Sequence, residues 1–86
     1  MNHVVLEGEV SGLLRTGRFT GRLIVTTPYE EGDSDCHDVE FREEHGSNIR
    51  DGDWVRVEGR LRYGVFRSAV VTPDRPIKRI DPVANP

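Results

Sequence analysis

Gly52-Asp53-Trp54-Val55-Arg56-Val57-Glu58-Gly59-Arg60-Leu61-Arg62 is the stretch on which the fold turns. From Trp54 onward it alternates. Val55, Val57 and Leu61 take one parity and are expected to point into a core, whereas Trp54, Arg56, Arg60 and Arg62 take the other and point out. That period of two belongs to a strand with one buried face. The Asp51-Gly52 pair ahead of it is a turn signal. A glycine inside the strand, Gly59, marks a place where the strand coils sharply or another backbone comes close.

The same pattern recurs on both sides. Toward the N-terminus, Val4, Leu6, Gly8 and Val10 share an inward parity, with Glu7, Glu9 and Ser11 facing out and Val5 breaking the outward polarity. A bend at Thr16-Gly17 leads to Phe19–Thr27, where Phe19, Leu23 and Val25 point in and Pro28 is expected to end the strand. Tyr29 to Asp38 is acidic and reads as an exposed hairpin loop; His37 to Arg42 then supplies a short strand with Val39 and Phe41 inside. Glu43 to Ile49 has room for one helical turn, with Ile49 as a plug at the barrel end. After a bend at Tyr63-Gly64, a fifth run from Val65 to Thr72 is broken by Pro73, and Ile77 and Ile80 are expected to pack back on the barrel edge. Five short strands with interior glycines fit a small all-β five-stranded Greek-key barrel, with an SH3-like barrel as the competing arrangement. Residues 1–80 form the domain and residues 81–86 a tail.

Eighty-six residues hold one domain with a small core, which a dimer would help to stabilise. With 31% charged residues and no apolar run near the length of a membrane helix, the chain reads as soluble. The start, Met1-Asn2-His3-Val4, lacks the pattern of a secretory signal, and a lone cysteine, Cys36, fits a reducing compartment. The expected location is cytoplasmic. The net charge of −3 is unevenly spread: residues 30–53 carry ten of the fifteen acids, and residues 54–86 carry seven of the twelve basic residues. An anionic ligand is therefore expected on the last third and parts of the first.

The second half alternates cations with rings. Arg56, Arg60 and Arg62 share a face with Trp54, and Phe66 and Arg67 follow; Arg15, Arg18 and Arg22 are further candidates for a backbone contact. Guanidiniums for phosphates and flat rings for bases are what a single nucleic-acid strand requires. The acidic segment 30–44 reads as a solvated hairpin, with phosphate mimicry and partner docking as alternatives. Cys36, His37 and His45 lack chelate spacing, so no metal is expected and no cofactor is implied. No nucleophile–base pair or phosphate-cradling loop is present, so an enzyme is not expected.

Asn2-x-Val4-x-Leu6-x-Gly8-x-Val10, Thr20-Gly21 before an apolar strand, and Gly52-Asp53-x-Val55-x-Val57-Glu58-Gly59-Arg60-Leu61 resemble, in that order, three strands of the bacterial single-stranded DNA-binding protein family. The resemblance implies an OB-fold and a non-catalytic role in replication, repair or recombination, with little sequence preference. It also implies a homodimer or higher homo-oligomer assembled through the first strand. Phe66 falls where the family places a stacking tryptophan, and Tyr29 lies near another such place. The segment between the third and fourth strands is shorter than in the family; a chain without the family's acidic-aromatic tail and with few stacking groups resembles the replication-restart primosome protein B branch, and equally a degenerate paralogue or a phage or plasmid version. The candidate nucleic-acid-binding residues are accordingly Arg22, Tyr29, Trp54, Arg56, Arg60, Arg62, Phe66 and Arg67, for DNA or RNA. The competing function is an OB-fold protein–protein interaction module that has lost nucleic-acid binding.

Overall fold

The computed structural model describes residues 2–18, 20–63 and 68–82. Seven elements follow one another: β1 (Val4–Leu14), β2 (Thr20–Glu30), β3 (Asp33–Arg42), α1 (Glu43–Gly46), β4 (Trp54–Tyr63), β5 (Ala69–Pro73) and β6 (Lys78–Arg79). The strands are hydrogen-bonded in the order β1-β2-β3-β5-β4, and β1 also pairs with β4, so five strands close on themselves. All pairings around the ring are antiparallel except β3 with β5, which run parallel through Val39 and Val71. A closed five-stranded Greek-key barrel of this connectivity is an OB-fold, and it replaces the SH3-like alternative. Phe19, expected to point inward, and the site candidates Phe66 and Arg67 lie outside the described residues.

The inward parities account for the core. Val10, Leu23, Val25, Val39, Phe41, Ile49, Val55, Val57, Val71 and Ile77 form one buried cluster, with Val4, Leu6 and Leu13 packed against it. Most are β-branched, and their stiff side chains suit a narrow barrel interior. Ile49 plugs the end beside α1, as its spacing predicts; Ile77 joins the cluster from the tail, and its N–H donates to the His45 carbonyl.

Closure depends on two strands that change partners. β1 pairs with β4 from Val4 to Glu9 and with β2 from Glu9 onward. β4 pairs with β1 up to Gly59 and with β5 from Gly59 onward. At each crossover stands a buried glycine: a Cβ on Gly8 would land on the Thr26 carbonyl, and one on Gly59 on the Thr72 carbonyl. No other residue fits there without moving backbone.

Four expectations need correcting. Leu61 shares the inward parity of Val57 but is 47% exposed. Its register partner Val71 is buried, yet β1 leaves β4 at Gly59, so Leu61 lies past the end of the closed barrel. There the Asn2 side chain replaces the strand, its amide bonding both the N–H and the carbonyl of Leu61. Pro28 does not end β2, which continues to Glu30 paired with β3. Beyond Thr26 no β1 residue is in register, and a ribbon with a free edge tolerates the missing proline N–H. For the same reason Tyr29 to Asp38 is no loop but the end of β2, a turn at Glu31-Gly32 and the first part of β3. Pro73 likewise closes β5 instead of following it.

The tail is held by Asp53. Its carboxylate accepts from the Arg50 N–H at 2.9 Å and from Arg79 Nε at 3.1 Å, and Arg79 also donates to the Asn48 carbonyl. β6 is thereby laid along Val55 and Arg56 of β4. The Arg50 N–H first, and the Arg79 guanidinium with it, hold the Asp53 carboxyl below the usual carboxylate range. A group lowered in this way contributes stability above its unfolded value and loses it as pH falls through the folded one.

Two measurements test this account. Gly59→Ala should destabilise the protein by about 3 kcal/mol, the upper end for an overpacked site, as read from urea unfolding. Asp53 should titrate by NMR with a midpoint below that of an ordinary aspartate, and Asp53→Asn should speed amide exchange in β6 above, but not below, that midpoint.

Candidate nucleic-acid interface

One rung of the barrel wall runs across β2, β3, β5 and β4. Arg22 stands opposite Glu40 in the β2–β3 register, and Arg60 stands opposite Thr72 in the β4–β5 register. Because Val39 and Val71 are paired, Glu40 and Thr72 occupy the next position on neighbouring strands. All four have the parity opposite to the core residues Leu23, Val39 and Val71 and therefore face outward. One rung away, Arg42 stands opposite Thr20, and on the other side Arg62 stands opposite Val70.

These residues line a groove of about 560 Å³, completed by Thr16 and Gly21 and floored by Phe41. The volume lies within the range of small-ligand clefts, although the groove is open along one side. Among the described residues its walls carry four guanidiniums, from Arg22, Arg42, Arg60 and Arg62, and one carboxylate, from Glu40. In a protein of net charge −3 this is a local reversal of sign. Thr16, Thr20 and Thr72 add hydroxyls able to donate to a phosphate oxygen.

Arg62 apart, the ion-paired guanidiniums among the described residues lie outside the groove. Arg15, Arg56, Arg75 and Arg79 hold carboxylates of Glu43, Glu58, Glu58 and Asp53. Among the described residues, no carboxylate lies within ion-pair distance of Arg22, Arg42 or Arg60. Arg62 alone in the groove is engaged, reaching Thr72 Oγ1 at 2.8 Å and Glu40 Oε2 at 3.2 Å. Arg15 works on the scaffold: besides Glu43 it donates to the Gly46 and Ser47 carbonyls and lies 6.0 Å over the Phe41 ring. That clamp fixes the β1–β2 connection beside Thr16 and α1 beside Arg42.

The fold brings together three of the expected site residues, Arg22, Arg60 and Arg62. It sets Arg56, Trp54 and Tyr29 apart from them. Arg56 is exposed on the outer face of β4 between Glu7 of β1 and Lys78 of β6, in a mixed field of charge. Trp54 is half-buried at the start of β4, opposite Glu9. Tyr29, 49% exposed, lies on the projecting β2–β3 ribbon. Arg42, Thr20, Thr72 and Glu40 were missed as site residues; only the strand register, which places Arg42 and Glu40 beside Thr20 and Arg22, reveals them. Tyr63, the residue after Arg62, is 78% exposed at the end of β4 and was also not among the candidates. Cys36 is exposed on β3 opposite Thr26, and among the described residues no three His, Cys, Asp or Glu side chains are grouped to hold a metal ion. No helix among them is long and apolar enough to cross a membrane.

Comparison with known proteins agrees with the fold. No protein-family model and no curated protein sequence matches the chain. Among solved structures it is similar to the dimeric N-terminal domain of the PriB protein from Thermoanaerobacter tencongensis, with a TM-score of 0.76 and 23% identity over 92% of this chain and 96% of that one. It is also similar to the single-stranded DNA-binding protein from Thermus aquaticus, with a TM-score of 0.66 and 23% identity over the whole chain. The chain spans 44% of that longer protein.

Proposed function

We propose that the protein is a non-catalytic binder of single-stranded DNA, with little sequence preference, acting in replication, repair or recombination. The observation that carries this reading is the groove with Arg22, Arg42 and Arg60 open to an anion, whereas Arg15, Arg56, Arg75 and Arg79 on other faces hold carboxylates. The similarity of fold to a single-stranded DNA-binding protein supports it. Phosphates of a strand lie along the arginines, and threonine hydroxyls donate to the same oxygens. The face offers no donor–acceptor pattern fixed for one base edge, so sequence discrimination is weak. Phe41 is 3% exposed and does not serve as a stacking platform. Bases stack instead on guanidinium planes and on rings outside the groove, Tyr29 among them, with Phe66 and Arg67 assigned to the same surface from sequence. Affinity is then mainly electrostatic.

The protein works as a homodimer in this proposal, joined along β1. Val5 is 43% exposed on the outer face of that strand, and the residues of β1 ahead of Glu9 have no β2 partner in register. A small core gains from such burial. A similar fold is described as dimeric in the PriB domain.

Two experiments check these points. Fluorescence anisotropy of a labelled oligo-dT should show binding with a salt slope near −2, since about three cations without an internal partner each contribute roughly 0.7 for a single strand. Arg22→Ala and Arg60→Ala should each weaken binding and flatten that slope by about 0.7; salt-independent binding, or none, refutes the reading in favour of a protein-assembly module. Separately, Val5→Asp should yield monomers in sedimentation, whereas an unchanged mass excludes this dimer surface.

A further inference from the structure

Among the described residues Glu40 is the one carboxylate lining the arginine groove, and it lies between Arg22 and Thr72 on the rung that crosses it. Its strand neighbour on one side is Arg22 and on the other Thr72, the register partner of Arg60. Arg62 crosses β5 to meet it, with Nη2 3.2 Å from Oε2, while Nε of the same guanidinium is held by Thr72 Oγ1 at 2.8 Å. The Glu40 side chain is 23% exposed and that of Arg62 57%, so the pair is shielded on the carboxylate side and open on the guanidinium side. A carboxylate among guanidiniums and a hydroxyl occupies the place in which a phosphate would make the same bonds.

We propose that Glu40 is the affinity-determining residue of this groove, an internal counter-anion that an incoming phosphate displaces from Arg62. The inference rests on the single-stranded DNA reading above and concerns how tightly that ligand is held. In the free protein Glu40 neutralises one of the four cations, so one fewer counterion is released when a strand binds. On binding, Arg62 exchanges Glu40 for phosphate, and the carboxylate left behind repels the strand. Both effects lower affinity and speed release. The acidic groups of the hairpin tip, Glu31, Asp33 and Asp35, are exposed and do not line the groove; they act only through screened long-range charge.

The test uses the full chain and a fluorescein-labelled dT oligonucleotide of about 15 residues, long enough to fill one OB-fold. Glu40→Gln keeps the shape and removes the charge. It should bind about fivefold or more tightly at low salt, with a salt slope steeper by about 0.7. Glu31→Gln, which changes the net charge equally, should bind much as the parent does. In a double-mutant cycle the gain from Glu40→Gln should shrink when Arg62 is already Gln, because the two residues act as a pair. Equal gains from Glu40→Gln and Glu31→Gln, or a gain indifferent to Arg62, would overturn the proposal. So would unchanged or weaker binding by a Glu40→Gln protein whose unfolding midpoint matches the parent. In each of these cases Arg60→Ala would still weaken binding, which leaves the broader reading intact; no binding by parent or variants overturns both.

Discussion

Everything in this molecule depends on backbone approaching backbone at two points without a side chain between. Gly8 lets β1 turn from β4 toward β2 against the Thr26 carbonyl, and Gly59 lets β4 turn from β1 toward β5 against the Thr72 carbonyl. These crossovers turn a sheet into a closed barrel and remove the open edges that a five-stranded sheet would otherwise present. They also set which residues meet on the outside. Thr72 belongs to the groove, and Arg60 follows Gly59 directly. The contact that shuts the barrel therefore also fixes the spacing of the arginines above it.

The inside and outside of the wall are linked again at Phe41. Its ring fills the core below the groove, and Gly21 and Gly46 leave room for it. Arg15 lies over the same ring and grips α1 through Glu43 and two carbonyls. The loop that carries Thr16 and the turn that follows Arg42 are thus braced by one guanidinium. Groove-lining groups held on strands and on a braced loop would need little ordering were an anion to arrive, which limits the entropic cost of association.

Most of the fold was legible because alternation is a local signal. Val55 and Val57, Val39 and Phe41, and Leu23 and Val25 each announced their inward face by parity alone. The misreadings arose where parity depends on what the neighbouring strand does. Leu61 keeps its parity but loses its roof when β1 departs, and Pro28 survives in β2 because β1 has there turned away to pair with β4. Likewise the charge of the last third pointed to Arg60 and Arg62, but Arg42 lies in the acidic middle and joins them only through the β2–β3 register. Long-range pairing, which a strand does not encode in its own residues, decided both. Trp54 and Arg56 share a face with Arg60 and Arg62 along β4, yet barrel curvature and the partner strands carry the two pairs to different surroundings.

The amide of Asn2 has a consequence of its own. By bonding both backbone groups of Leu61, it continues the β1–β4 ladder with a side chain where the main chain has turned away. Leu61 and Tyr63 are apolar and exposed there, the composition that invites a foreign strand to dock edge-on. With both hydrogen-bonding groups of Leu61 already occupied, a neighbouring molecule finds no template at that position. A single polar side chain thus closes this edge at Leu61.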